Sequence, residues 1–135
     1  MLLEWVGRSS RLGRVFAAVS NGFNDSIYLT RPNATQLQLN MIASSSNQVS
    51  LFKSFTMTDG VIAKVAIGWK ANDTAWSLNG DVPGVDTSCV IPTVTRIGIG
   101  GDWLSPAASQ PGVPLRRFLY WPYRLSNAAL QTLAA

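Results

Sequence analysis

Short segments with strand character recur along the whole chain, and turn residues separate them. The segment 37–41 alternates apolar and polar residues, a pattern typical of a strand with one buried face. Asn79-Gly80 follows another such segment, and this dipeptide favours a tight hairpin. About nine segments at roughly ten-residue spacing predict an antiparallel sandwich or jelly roll. The predicted strands are Leu2–Val6, Val15–Val19, Ser26–Thr30, Leu37–Met41, Val49–Phe55, Val61–Trp69, Ala75–Leu78, Arg96–Ile99 and Arg116–Trp121.

Loops and one helix complete the predicted fold. Polar residues at Asn21–Asp25 and Ser44–Gln48 predict loops, and Asp102–Pro114, with three prolines, predicts a long surface loop. Ser126 is a suitable N-cap for a helix over 127–133. We expect one all-β domain spanning residues 1–135, either whole or part of a longer protein.

The composition excludes several kinds of chemistry. The chain has no histidine, one cysteine (Cys89) and one glutamate (Glu4). This rules out Ser-His and Cys-His catalysis, histidine or multi-cysteine metal sites and an intramolecular disulfide. A carboxylate pair for glycoside hydrolysis would have to consist of aspartates, and each aspartate lies in a turn or loop pattern. We therefore expect no catalytic residues, and a glycan-cleaving enzyme is the weakest alternative.

The charge pattern also limits the partners. The net charge is +4, but the eleven basic residues are scattered, whereas nucleic-acid binding needs them focused on one face. No apolar run reaches the ~20 residues of a membrane span, and the first residues do not resemble a signal peptide. We expect neither a nucleic-acid partner nor membrane insertion. Charged residues make up only 13%, so the polar surface consists largely of hydroxyl and amide groups, as in extracellular or virion β proteins.

Three segments resemble the concanavalin A-like jelly roll in its laminin G-like (LamG) form. They are the hairpin Ala75–Gly80, the strand segment Thr95–Gly100 and the ending Leu115–Gln131. The ending is the most specific, because it joins an aromatic strand, an Arg-Leu-Ser step and a short helix. Its Tyr-Trp-Pro sequence resembles domains at the C-terminal ends of bacteriophage tail and other virion proteins. The resemblance spans nearly the whole chain and implies rim loops that bind glycans, proteins or sometimes calcium, commonly without catalysis.

Within this resemblance, the rim loops carry the candidate ligand site. Trp103 opens the proline-rich loop and is the best candidate to stack on a sugar ring, with Asp102 accepting hydrogen bonds from the sugar. A lid that plugs one end of the sandwich is the alternative role for Trp103. Further ligand candidates are Asn24, Asp25, Asn72 and Asp73. These could also supply oxygens to calcium, but turn capping explains them, so we predict no metal and no cofactor, with calcium as an alternative.

The aromatic and basic C-terminal segment predicts an interface. Its candidate residues are Arg116, Arg117, Tyr123 and Arg124. The leading hypothesis is a non-catalytic phage virion domain that attaches to a host-surface glycan. The alternative is an assembly or decoration module that contacts other virion proteins or forms a homo-oligomer. Both hypotheses describe a protein made in the bacterial host cytoplasm that acts outside the cell as part of the virion. Trp5, Trp69 and Trp76 are expected in the core, and Trp121 against the helix.

Overall fold

The computed structural model describes residues 1–10, 12–20, 22–99 and 114–135. Within these residues the chain forms ten strands and one helix. Their bounds are β1 Leu2–Val6, β2 Gly13–Ser20, β3 Gly22–Asn33, β4 Gln36–Ala43, β5 Ser46–Ser54, β6 Ile62–Lys70, β7 Asp73–Leu78, β8 Gly84–Asp86, β9 Arg96–Ile99, β10 Leu115–Leu119 and α1 Asn127–Ala134. The strands build two five-stranded antiparallel sheets, which confirms the predicted jelly-roll sandwich with a short C-terminal helix.

The two sheets differ in how the chain connects their strands. One, here called the covered sheet, has the order β10-β1-β6-β7-β8. Its strand β1 lies between β6 and β10, so that Leu2 has Ala66 on one side and Leu119 on the other. The second, here called the open sheet, has the order β5-β4-β3-β2-β9, in which four successive strands are neighbours. Short hairpins therefore organise the open sheet, whereas the covered sheet depends on contacts between distant parts of the chain.

The core lies between the sheets, where alternate residues of each strand point inward. At its centre Ile67 of β6 lies opposite Trp76 of β7, and both are fully buried. Trp5 is also fully buried and Trp69 packs against the core, so the core role predicted for these tryptophans is confirmed. The open sheet contributes the buried side chains Phe16, Ile27, Leu29, Leu39 and Met41.

Helix α1 packs on the outer face of the covered sheet. The Ser126 hydroxyl accepts a hydrogen bond from the amide of Ala129 at 3.2 Å, which confirms the predicted N-cap. Leu130 and Ala134 face the sheet and form a small apolar cluster with residues of β1, β6 and β7. Trp121 packs against this cluster, as predicted. The helix contacts β6 and β7, so no described helix covers the outer face of the open sheet.

Two loops predicted from polar residues are mostly strand. The predicted loop Asn21–Asp25 is wrong at its C-terminal part, because β3 pairs with β2 as far back as Gly22. The predicted loop Ser44–Gln48 is a two-residue turn, in which Ser44 and Ser45 have φ of 49° and 65°. Turns of this kind match the twist of paired strands, so the polar residues beside them can still join the ladder. The strand β8 was not predicted.

Polar contacts tie the sheets together at both ends of the sandwich. The upper end holds the β4–β5 and β6–β7 turns, and there the Gln48 carboxamide oxygen accepts a hydrogen bond from the amide of Val90 at 3.1 Å. The lower end holds the β3–β4 and β7–β8 turns, and there Lys53 Nζ lies 2.7 Å from the carboxylate of Asp81. Both contacts close the flank on which β5 and β8 are the edge strands.

Candidate functional site

Four of the predicted ligand residues lie at the upper end of the sandwich. Asp25 accepts a hydrogen bond from the amide of Ser44 at 3.1 Å, and its neighbour Asn24 is exposed on β3. Asn72 has a φ of 57°, and its side chain accepts a hydrogen bond from the amide of Cys89 at 3.2 Å. Asp25 and Asn72 thus hold turns in place, as the turn-capping interpretation expected.

Asp73 and Arg124 form one polar cluster beside the helix. Arg124 donates to the carboxylate of Asp73 at 2.9 Å and to Asn127 Oδ1 at 2.6 Å. The Arg124 side chain is only 8% exposed, since it crosses the outer face of the covered sheet over Gly68. Lys70 lies 3.5 Å from the same carboxylate of Asp73. The guanidinium predicted to serve an interface is therefore engaged within the chain.

The other predicted interface residues are exposed. Arg116 lies on β10, and Arg117 beside it is 57% exposed and 3.6 Å from Glu4 of β1. Tyr123 is 64% exposed. The candidates Asp102 and Trp103 lie outside the described residues.

The outer face of the open sheet carries a compact set of amide, hydroxyl and aromatic groups. Tyr28, Asn40 and Ser50 lie side by side on β3, β4 and β5. Thr30, Gln38 and Phe52 form the next row. Here this surface is called the open face, and it comprises Arg14, Tyr28, Thr30, Gln38, Asn40, Ser50 and Phe52. Because every second residue of a strand points outward, the backbone register alone places these groups on one surface.

A short hydrogen-bond network leaves one buried amide of the open face unpaired. Gln38 Nε2 donates to Asn40 Oδ1 at 2.8 Å and to Ser50 Oγ at 3.0 Å. Asn40 is 5% exposed, and its Nδ2 has no hydrogen-bond partner among the described residues. An unpaired buried donor costs about 1–3 kcal/mol, and a ligand oxygen can supply the missing partner. The nitrogen is shielded from solvent, so a ligand oxygen would need a neighbouring side chain to move aside before it could accept this bond.

The open face is flanked by a cation and an exposed ring. The guanidinium carbon of Arg14 lies 5.1 Å from the ring centroid of Tyr28, within the range of a cation–π contact. Phe52 on the edge strand β5 is 53% exposed. Strands β3, β4 and β5 pair in register between Ser26 and Ser54. None of the outward-facing residues in these pairs is an aspartate or a glutamate. The surface can thus donate hydrogen bonds and stack on a ring, and its nearest charge is positive.

The open face is not among the sites predicted from the sequence. Alternation in the segment 37–41 did predict a strand whose Gln38 and Asn40 face away from the core. No pattern within one strand shows that Tyr28 and Ser50 lie beside Asn40, because that depends on the register of three strands.

A second concavity, here called the aromatic pocket, lies at the upper end of the covered sheet. Four of its walls are the rings of Trp69, Tyr120, Trp121 and Tyr123, and the others are Met1, Ile67, Gly68 and Pro122. It encloses about 300 Å³, including solvent at its mouth. The rings of Trp69 and Tyr120 are 6.4 Å apart and tilted by 43°.

The α-amino group of Met1 lies in the wall of the aromatic pocket. It donates a hydrogen bond to the carbonyl of Ile67 at 2.7 Å. Burial, and to a smaller extent the charge of Arg124, lower the pKa of this amino group from 8.0 to about 6. The group is therefore largely uncharged at neutral pH.

No metal site is evident in the described ranges. They contain no group of three or more Cys, Asp or Glu side chains that could hold an ion. Within the same ranges, no helix is long and apolar enough to cross a membrane. Cys89 is a buried free thiol, 3.3 Å from the hydroxyl of Thr74.

The fold and these surfaces define an antiparallel β-sandwich with one face under a helix and the other face polar and not covered by any described element. Among solved structures, the chain is similar to the CBM40 domain of the Ruminococcus gnavus IT-sialidase, solved with α2,3-sialyllactose bound. The TM-score is 0.66 at 11% sequence identity, and the match covers 99% of this chain and 80% of that one. At this identity the likeness concerns the fold alone. No protein-family model and no curated protein matches the chain.

Proposed function

We propose that this chain is a non-catalytic glycan-binding domain and that the open face holds the glycan. The observation that carries the proposal is the unpaired amide of Asn40, buried within a row of amide and hydroxyl groups on the open sheet. Sugar hydroxyls are both donors and acceptors, so they can complete such a network. The similarity in fold to a domain solved with a bound oligosaccharide supports the same function.

Each part of the open face has a separate task in this proposal. A sugar oxygen accepts a hydrogen bond from Asn40 Nδ2, and adjacent hydroxyls exchange bonds with Gln38 and Ser50. The apolar side of the sugar ring packs on the exposed ring of Phe52, which lies in the same row as Thr30 and Gln38, one row from Tyr28. Neighbouring strands are ~4.8 Å apart, so the row from β3 to β5 spans ~10 Å, enough for a short saccharide rather than one atom.

Binding measurements on three variants test the proposal. The probes are a glycan array followed by calorimetry with sialyllactose and lactose, which differ by one acidic sugar. We expect Asn40→Ala and Phe52→Ala each to weaken binding about tenfold, since each removes one contact worth ~1–1.5 kcal/mol. Both variants should fold, because Gln38 Nε2 keeps its hydrogen bond to Ser50 when the Asn40 carboxamide is removed, and because Phe52 is exposed.

Thr132→Ala is the matched control, because Thr132 is exposed on α1, which packs on the covered sheet at the opposite side of the sandwich. It should bind as the unchanged protein does. Absence of binding to every glycan by the folded protein would refute the proposal. Binding that Asn40→Ala and Phe52→Ala leave unchanged would place the glycan elsewhere and refute the open face as its site.

We further propose that the glycan is on a bacterial surface and that the domain is part of a virion. The support is the Tyr-Trp-Pro ending at 120–122 and its resemblance to phage tail domains. Immunoelectron microscopy of purified virions tests this proposal. Labelling of the virions by an antibody against this protein would support the virion location, and absence of labelling would contradict it.

The assembly function is a second candidate, favoured by apolar side chains on two edge strands. Ile97 and Ile99 of β9 are 56% and 44% exposed, and Leu115 and Leu119 of β10 are 38% and 40% exposed. Edge strands with exposed apolar residues favour pairing with another chain. Light scattering on the purified protein tests this: a concentration-dependent oligomer that Ile97→Lys disrupts supports assembly, and a monomer at all concentrations contradicts self-assembly.

A further inference from the structure

We propose that the aromatic pocket is a second ligand site, separate from the open face, and that it binds an uncharged sugar ring. The rings that line the pocket are unusually exposed for aromatic side chains. Tyr120 and Tyr123 are 56% and 64% exposed, although each is bulky and largely apolar. Trp69 and Trp121 stand half-buried beside them. Exposed aromatic residues gathered around one concavity mark a binding site more often than isolated ones do.

Contacts within the chain hold the aromatic pocket in shape before any ligand binds. Trp69 packs against the main core, and Trp121 packs against the cluster beneath α1. Arg124, next to Tyr123 in the chain, is fixed by Asp73 and Asn127. Anchoring of these kinds reduces the conformational entropy that binding would otherwise cost.

The lack of charge in the lining of the aromatic pocket favours an uncharged ligand. None of the described lining residues has a charged side chain. The nearby guanidinium of Arg124 already pairs with Asp73. The amino group of Met1 is largely uncharged at neutral pH, since burial and the charge of Arg124 lower its pKa to about 6. A carboxylate or phosphate would therefore lose its hydration in the pocket without gaining a cation, whereas a neutral sugar would lose no charge stabilisation.

The shape of the pocket favours a sugar over a peptide. Its space of about 300 Å³ forms a single hollow and includes the open solvent at its mouth, so a ligand would rest one face on the aromatic rings rather than be enclosed. An extended proline-rich peptide needs an elongated aromatic groove. A pyranose instead presents an apolar face to a tyrosine or tryptophan ring and hydroxyls at its rim, where the phenol groups of Tyr120 and Tyr123 can exchange hydrogen bonds.

Tryptophan signals make this site measurable by itself. The probes are lactose, cellobiose and maltotriose at millimolar concentration, with indole N–H resonances and tryptophan fluorescence as readouts. We expect at least one of these sugars to shift the resonances of Trp69 and Trp121 and to leave those of the fully buried Trp5 and Trp76 unchanged. Tyr120→Ala and Tyr123→Ala should each weaken that binding about tenfold.

The controls separate this site from the open face. Phe52→Ala should leave the shifts of Trp69 and Trp121 intact, so a failure of the proposed open-face site would not remove this one. Sialyllactose should shift these two signals no more than lactose does. No shift with any neutral sugar would overturn the proposal, and so would a stronger response to sialyllactose or to a proline-rich peptide.

Discussion

Gly68 is the position where the addition of one methyl group should have the clearest effect on the stability of the protein. A Cβ at this position would lie 2.7 Å from Arg124 Cδ and 3.1 Å from its Nε and Nη1. An arginine can usually move aside, but Asp73 and Asn127 hold this guanidinium at 2.9 and 2.6 Å. Gly68→Ala must therefore strain the contact or break those bonds. Such overpacking costs about 1–3 kcal/mol, against ~0.5–1 kcal/mol gained from replacing a strand glycine.

The expected net loss of stability is about 1–2 kcal/mol, the difference between those two effects. Urea unfolding followed by tryptophan fluorescence measures it as a lower midpoint at an unchanged slope. The control is the same substitution in an Arg124→Ala background, where the obstructing side chain is gone. There Gly68→Ala should be neutral or stabilising. Equal losses in the two backgrounds would show that the Arg124 contact does not cause the effect and would refute the reasoning.

Three further predictions concern the termini of elements and one titrating group. The Met1 amino group binds a proton below pH 8.0 when unfolded but only below about 6 when folded, so stability should fall by about 1–2 kcal/mol from pH 8 to 6. Thermal unfolding should show this slope, and N-terminal acetylation should abolish it. Ser126→Ala removes the helix cap and should lower the free energy of unfolding, measured in urea, by ~1 kcal/mol. Ser126→Asp should keep the free energy of unfolding near that of the unchanged protein, because aspartate is also a good N-cap. Gly60 and Gly80 both have φ of +78°, but only at Gly80 would a Cβ contact another residue, so Gly80→Ala should lower the melting temperature more than Gly60→Ala.

The sequence contained enough to predict the layered fold, because strand alternation and turn chemistry act locally. Strands β1 and β9 have the predicted bounds, and Ser126 caps the helix as expected. The wrong loop predictions concern polar residues whose side chains form hydrogen bonds outside their own strand. Asp25 resembles a loop residue, yet its carboxylate holds the amide of Ser44 while its backbone stays in β3. Strand β8 has three residues and pairs with β7 alone, which is too short for a periodic signal.

Sequence patterns can indicate which residue types could bind a ligand, but the positions of these residues relative to one another depend on strand register. Asn24, Asp25, Asn72 and Asp73 were predicted as ligand groups, and the structure shows three of them bound to turns or to Arg124. The groups of the open face come from different strands, so their meeting follows from pairing between β3, β4 and β5. Which sheet α1 covers likewise depends on packing that no local period encodes.

The position of β1 between β6 and β10 has a consequence for the order in which the protein can fold. Because Leu2 lies opposite both Ala66 and Leu119, the first strand cannot gain its second neighbour until the chain as far as Leu119 has emerged from the ribosome. The β2–β5 meander needs only residues 13–54, and pairings close in sequence form sooner than distant ones. We expect pulsed hydrogen exchange to protect β3 and β4 before β1, and simultaneous protection would contradict this. During synthesis one edge of β1 would then remain exposed until β10 arrives, and nascent chains stalled before residue 115 should be the species most prone to aggregate.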